Sequence, residues 1–273
     1  MGVLKMSEIV KGYYDENAEC EWERLNKPYR KIEFESTLYL IDKYFPKEGS
    51  IVDIGSGPGR YSIELLKKGY QVSLLELSQK ELDLAKDKIV NLGLQAEAYI
   101  CENALNLHLL ESEKYDALLL MGPMYHLWHK EDRQKVLTEA MRVLKKGGVA
   151  IVAYLNSWGI LKAGVTEFPD TFSDIRNVYG YLSQQTFDEN LSFTEVYFTI
   201  PPKAIEEIKE VGFEVISYAG AEGYLSGTKT EITRLYEENR AVYNNFVKVA
   251  IETCEYPQYR DATEHLHIVI KKN

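Results

Sequence analysis

The chain has 273 residues, 45% of them hydrophobic, with charged residues interspersed throughout, which is enough apolar material for a large core in one domain with insertions or in two small ones. Its formal net charge is −10. Phosphate contacts dominate nucleic-acid affinity and call for a basic face, so neither a nucleic acid nor an anionic membrane is the expected partner.

Residues 1–10 lack the apolar core of a signal peptide, and Met6 stands where a myristoylation signal beginning at Gly2 requires Ser or Thr. Residues 1–46 read as helical, with Phe34, Leu38, Ile41 and Phe45 on one apolar face after Pro28. From residue 50 to about 154 strand-like and helix-like segments alternate, the pattern of parallel βαβ units. Residues 50–54 are a buried strand, 60–68 a helix ending at Gly69, and 71–76 the next strand. Ser78 and Glu81 form a capping box that opens a helix with Leu82, Ala85, Ile89 and Leu92 inward. Residues 96–101 and 115–121 are two more strands. A helix with Val136, Ala140 and Val143 inward is expected to end on Lys145, Lys146 and Gly147, before a fifth strand at 148–154. Residues 155–200 read as an irregular insertion rich in Tyr, Phe and Ser. Ile205, Ile208 and Val211 mark a helix closed by Gly212, followed by a strand at 213–219. Residues 221–263 contain a helix with Leu235, Val242, Phe246 and Val249 inward, and 265–271 is the final strand. No apolar run has the length of a membrane span. Cys20, Cys101 and Cys254 form neither a CxxC pair nor a disulfide framework, which fits free thiols in a cytoplasmic protein.

Chemistry concentrates first in Asp53-Ile54-Gly55-Ser56-Gly57-Pro58-Gly59, between a strand and a helix. Gly55 and Gly57 allow a tight turn and close approach of backbone to ligand, and amides at the start of the following helix can hold a carboxylate or phosphate. Glu76 ends the next strand, where an acid can accept both hydroxyls of a ribose; an exposed strand-end carboxylate is the plainer alternative. A nicotinamide dinucleotide enzyme is the rival reading, but the GxGxxG pattern wants glycine where this chain has Arg60.

VDIGSGPGRYS resembles motif I of the class I S-adenosylmethionine-dependent methyltransferases, LLELS at 74–78 their second motif, ENAL at 102–105 the GDAL-type segment after the third strand, and EAMRVLKKGG at 139–148 their EAxRVLKPGG segment. The stretch LLLMGPMYHL is similar to a bacterial small-molecule-type subgroup with GPLYHL there, an EG pair after the sixth strand (Glu222-Gly223) and a His near the last strand (His265). The resemblance implies a doubly wound, mostly parallel seven-stranded α/β sheet, Rossmann-like, whose last strand is antiparallel and inserted beside the sixth. It implies S-adenosylmethionine as methyl donor, S-adenosylhomocysteine as product, and a donor site made by Asp53, Gly55, Ser56, Gly57, Gly59, Glu76, Leu77, Asn103, Ala104 and Met121. Asn103 departs from the family's usual Asp, although its amide oxygen can still accept from an adenine amino group.

In the same resemblance Tyr125 and His126 face the methyl acceptor. His126 then reads as a base and Tyr125 as an orienting ring, or both as pocket walls. Tyr14, Glu222 and His265 are candidates for the acceptor side. His126 with His129, and His265 with His267, invite a metal, but no Cys or carboxylate cluster completes a ligand set and none is expected. Arg30 and Lys31 are candidates for the donor's carboxylate or simply a solvated helix face. Twenty tyrosines, among them Tyr13, Tyr14, Tyr179, Tyr181, Tyr197 and Tyr224, suit aromatic walls around a small organic acceptor or ordinary packing of the insertions.

The expectation is therefore one methyltransferase domain over residues 1–273. Its core is 47–154, 201–220 and 264–273, and its helical cap 1–46, 155–200 and 221–263. It transfers a methyl group to a small-molecule acceptor, with no nucleic acid or membrane partner. The alternatives are a nicotinamide-dependent oxidoreductase and a non-catalytic S-adenosylmethionine-binding protein.

Overall fold

The computed structural model describes residues 2–273, so Met1 of the first cap segment lies outside the described residues. Two helices open the chain, α1 (Gly2–Arg24) and α2 (Arg30–Tyr44). The alternating part follows as β1 (Ser50–Ile54), α3 (Arg60–Lys67), β2 (Gln71–Glu76), α4 (Gln79–Asn91), β3 (Ala98–Cys101), β4 (Tyr115–Leu120), α5 (Lys130–Val143) and β5 (Leu144–Asn156). Next come α6 (Ser157–Glu167), α7 (Ile175–Gly180), β6 (Gln185–Phe187) and β7 (Val196–Thr199). The chain closes with α8 (Pro201–Glu210), β8 (Glu214–Gly220), α9 (Lys229–Glu238), α10 (Arg240–Glu252), α11 (Pro257–Arg260) and β9 (His265–Lys271).

Seven strands lie in the order β3-β2-β1-β4-β5-β9-β8; β9 runs antiparallel to both of its neighbours, and the first five strands are parallel. This is the expected α/β fold. Both faces are covered: Val52, Leu118, Leu120 and Val152 pack towards α5 and α8, whereas Ile51, Leu74, Leu119 and Ile151 pack towards α2, α3 and α4. Strands buried on both faces read as the near-continuous apolar runs seen in the sequence. Val136, Ala140 and Val143 of α5 are fully buried, as their spacing predicts.

The structure corrects the sequence reading in four places. Segment 155–200 is not simply irregular, because β6 and β7 join the sheet: β5 outlasts β4, whose pairing ends at Val152, and β7 pairs parallel with Leu155 and Asn156 beyond that end. Lys145 and Lys146 belong to β5 rather than to the last turn of α5; Lys145 instead binds both carboxylate oxygens of Asp116 at 2.8 Å, where the β4–β5 register slips. Leu92 is exposed, since α4 ends at Asn91. The 221–263 helix is two helices broken at Asn239, whose side chain accepts from the Val242 amide to cap α10. Ile232, Tyr243, Val247 and Ala250 turn inward there, while Phe246 and Val249 are exposed. The expected apolar face of residues 34–45 holds at Phe34, Ile41 and Phe45, with Leu38 half-buried.

Candidate active site

Because β1, β2, β3 and β4 are parallel, their C-terminal ends share one edge of the sheet, and the loops that follow them bound a common cleft. The glycine turn after β1 is its floor. Gly55 has φ +76°, and a Cβ there would stand 2.5 Å from Pro123 Cδ, so glycine lets this turn pack against the loop after β4. The Gly55 and Ser56 amides donate to the Leu75 carbonyl at 2.8 and 3.2 Å, which locks the turn onto β2. Two expected donor residues stand behind the wall. Asp53 is fully buried, accepts from the Ser62 hydroxyl at 2.7 Å, and is pushed up to about 7 by burial. Gly59 serves packing, since a Cβ would approach Ala85 Cβ to 2.9 Å. Both support the turn without lining the cleft.

Gly55, Ser56, Gly57, Glu76, Leu77, Asn103, Ala104 and Met121 do line it. Glu76 accepts from the Gly57 and Ser78 amides, each at 2.9 Å, so its carboxylate is fixed in place. Burial raises its pKa against the pull of those amides. Asn103 is already engaged: its oxygen accepts from the Leu105 amide at 2.9 Å and its nitrogen donates to Ser7 of α1 at 2.9 Å. The capping box is half-formed. Ser78 accepts from the Glu81 amide at 3.1 Å, but the Glu81 side chain does not reach back and lines the cleft instead. Its Oε1 is buried without a partner. Burial, together with Glu76 and Glu21, pushes Glu81 up to about 10, so a cationic ligand group beside it would restore the carboxylate.

Glu21, Glu76, Glu81 and Glu102 line the cleft against Arg24 and Arg60. S-adenosylmethionine combines a sulfonium and an ammonium with one carboxylate and is net positive; a dinucleotide carries a negative pyrophosphate. The orphaned Glu81 oxygen and this acidic lining fit the former.

A second, larger chamber of about 890 Å³ adjoins the cleft, and Tyr14, Glu21, Arg24 and Tyr125 line both. The Tyr125 hydroxyl donates to the Met121 carbonyl at 3.0 Å, which anchors the ring as a wall. His126 is on the cleft side rather than in the outer chamber. Its Nδ1 is 2.7 Å from the Glu195 carbonyl, which can only accept, so Nδ1 carries the proton and Nε2 is the acceptor. The Tyr14 hydroxyl lies 2.8 Å from Nε2 and donates to it. Burial pushes His126 down to about 4 and Tyr14 well above its ordinary value, so the pair rests neutral.

His265 lines the outer chamber, whereas Glu222 sits behind it and reaches the chamber only through its 2.5 Å contact with His265 Nδ1. The structure also corrects the expectation that no carboxylates gather at a histidine: Glu33 joins Glu222 and His265, with ligand atoms within 4.8 Å of one another. Burial opposes charge on His265, but Glu33 and Glu222 outweigh it and raise its pKa. Arg24 binds Glu33 at 2.8 Å. The cluster therefore holds its own cations and reads as a charge network. Arg30 binds Glu264 at 3.1 Å in the outer chamber, and Lys31 pairs with Glu35 on the helix surface, so neither reaches the donor cleft. His129 immediately precedes α5 and lines neither cavity.

Glu21 and Arg24 were not legible as site residues. They lie near the end of a long helix with weak amphipathic patterning, and only the crossing of α1 over the cleft brings them to the junction. Glu81 was legible as a cap and nothing more.

Residues 51–148 match the family model of a methyltransferase domain. The matched residues, which run from β1 into β5, therefore resemble a methyltransferase domain. The chain is 26% identical over 145 residues to a putative methyltransferase, YqeM, of Bacillus subtilis, covering 53% of this chain and 56% of that one. It is 20% identical over 227 residues to the tRNA 5-carboxymethoxyuridine methyltransferase of Escherichia coli, covering 83% and 81%. Several curated relatives are matched over only 39% to 56% of their length. Among solved structures, an S-adenosylmethionine-dependent methyltransferase of Thermotoga maritima, described as a possible histamine N-methyltransferase, shares the fold. It superposes with a TM-score of 0.58 at 18% identity and covers 96% of this chain and 99% of its own.

Proposed function

We propose that the chain transfers a methyl group from S-adenosylmethionine, held in the cleft, to a small organic acceptor held in the outer chamber. The observation that carries this is the meeting of the two cavities at Tyr14, Glu21, Arg24 and Tyr125, which leaves one place where a nucleophile can face a donor. When bound, S-adenosylmethionine supplies an electrophilic methyl group on a sulfonium sulfur. Gly55, Gly57, Glu76 and Leu77 would hold its methionine and ribose parts, with Asn103 and Ala104 at the adenine and Met121 beside the sulfur. Tyr14 lines both cavities and is hydrogen-bonded to His126. It can take a proton from the acceptor as its own passes to His126 Nε2, while the Glu195 carbonyl keeps the ring in the tautomer that accepts. His126 thus acts through Tyr14, and Tyr125 excludes water and orients.

A small acceptor is favoured over a nucleic acid by the net charge of −10 and by the aromatic lining of the outer chamber. Among the described residues no helix is long and apolar enough to cross a membrane. Calorimetry tests the donor: S-adenosylmethionine or S-adenosylhomocysteine should bind, and NAD far more weakly. Tight NAD binding with no response to either sulfur compound overturns the assignment. A radiolabelled-methyl screen across small molecules and total tRNA tests the acceptor; label entering tRNA alone overturns the small-molecule reading.

A further inference from the structure

The charged floor of the outer chamber is layered. Arg24, Arg30 and His265 face the chamber together with Glu21 and Glu264, which pair with Arg24 and Arg30, and Glu33 and Glu222 lie behind them, lining neither cavity. Glu222 holds His265 at 2.5 Å and Glu33 holds Arg24 at 2.8 Å, so buried carboxylates fix the cations in front. Glu264 does the same for Arg30 at 3.1 Å, and both its oxygens are engaged, because Tyr29 donates to the other at 2.5 Å. The cations keep unspent donors. Among the described residues Arg24 Nη2 and Arg30 Nε and Nη2 have no hydrogen-bond partner, and the two arginine side chains are 30% and 24% exposed, whereas His265 Nε2 faces Glu33 at 3.9 Å. Arg30 is the electrostatic neighbour of the other two, since it acts on His265 and Arg24 acts on it. Forked guanidinium donors held rigidly match a planar anion. The remaining wall has an aromatic and apolar part, with Ile160, Phe168, Tyr181, Phe187, Phe193 and Phe198, and a polar part with Thr171, Arg176, Asn177, Gln185 and Ser192.

We infer that the acceptor is a small carboxylic acid with a planar or apolar body, its carboxylate seated on Arg30 and Arg24 and its body against the aromatic wall. This rests on the assignment of the outer chamber to the acceptor and deepens it. The chamber volume of about 890 Å³ is in the range of small-molecule sites, and its lining includes both the charged floor and the Tyr14–Tyr125 junction.

The test is calorimetry on the full chain, with and without saturating S-adenosylhomocysteine, using matched acids and neutral amides: benzoate and benzamide, 4-hydroxyphenylacetate and its amide, indole-3-acetate and its amide, with phenylethylamine as the cationic control. At least one acid is expected to bind tenfold or more tightly than its amide. Arg30→Gln should then weaken that acid by roughly ten- to a hundredfold while leaving the amide and S-adenosylhomocysteine unchanged. The inference is overturned if every acid matches its amide, if no acid binds, if phenylethylamine is preferred, or if folded Arg30→Gln keeps the acid preference. The wild-type comparison needs no variant, so misfolding of Arg30→Gln leaves it decisive. Failure of S-adenosylhomocysteine to bind would instead count against the donor cleft, because the acid preference is also read without it.

Discussion

The donor cleft and the outer chamber share a boundary at Tyr14 and Tyr125 but are built in opposite ways. The cleft comes from consecutive strand ends: the turn after β1, Glu76 at the end of β2, Asn103 after β3 and Met121 after β4, all delivered to one edge by parallel pairing. Many of its polar contacts are backbone amides whose positions follow from the turn itself, as with Gly57 and Ser78 on Glu76. The chamber is assembled from α1, α2, the β5–β7 segment and the start of β9, and depends on side chains brought from far apart in the chain. A site made of local backbone geometry tolerates little change in its glycines; a site made of side chains can be re-specified without disturbing the sheet.

The largest effect expected lies on the boundary itself. Tyr14→Phe removes the hydroxyl that joins the chamber to His126, and turnover should fall by about 10²–10⁴-fold if the pair moves a proton. Calorimetric affinity for S-adenosylhomocysteine should barely change. A loss of only a few-fold would reduce Tyr14 and His126 to walls, and His126→Ala should then be equally mild.

Next in size is the cleft's carboxylate. Glu76→Ala should weaken donor binding by on the order of 1.5–3 kcal/mol, roughly ten- to a hundredfold, because hydrogen bonds to a charged partner are lost. Unchanged affinity in a folded variant would remove Glu76 from the ribose. Gly55→Ala probes the backbone part of the same region: a left-handed φ of +76° and a 2.5 Å approach to Pro123 should cost about 1–3 kcal/mol in denaturant unfolding. If stability were unaffected, the turn would have to be able to repack.

The smallest effect separates support from contact. Asp53 has a folded pKa pushed up to about 7, above the unfolded carboxylate value near 3.9. Its contribution is therefore fully present below about pH 4 and is lost as pH rises towards 7. Asp53→Asn can still accept from Ser62, and should flatten that part of the stability–pH curve while leaving donor affinity within a few-fold. Chemical denaturation at pH 5 and pH 7.5 reads it; an unchanged pH slope would show that Asp53 is ionised in the folded protein.

Sequence alone determined the seven-stranded part of the sheet and the strand-end part of the cleft. The alternation of apolar strands with capped helices, and the DIGSGPG turn followed one strand later by Glu76, are local patterns, and parallel pairing then places them together with little freedom. Tertiary structure decided everything that depends on long-range approach. Tyr14 meets His126 across 112 residues, and Tyr29 meets Glu264 across 235. Glu33 reaches His265 only because α2 packs on β9. Residues 155–200 gave no periodic pattern because the short strands β6 and β7 form only where β5 overruns β4 and leaves an edge to pair. The inward face of α10 was misplaced for a related reason: its register is set by the break and cap at Asn239, a feature of side-chain hydrogen bonding that hydrophobic spacing does not encode.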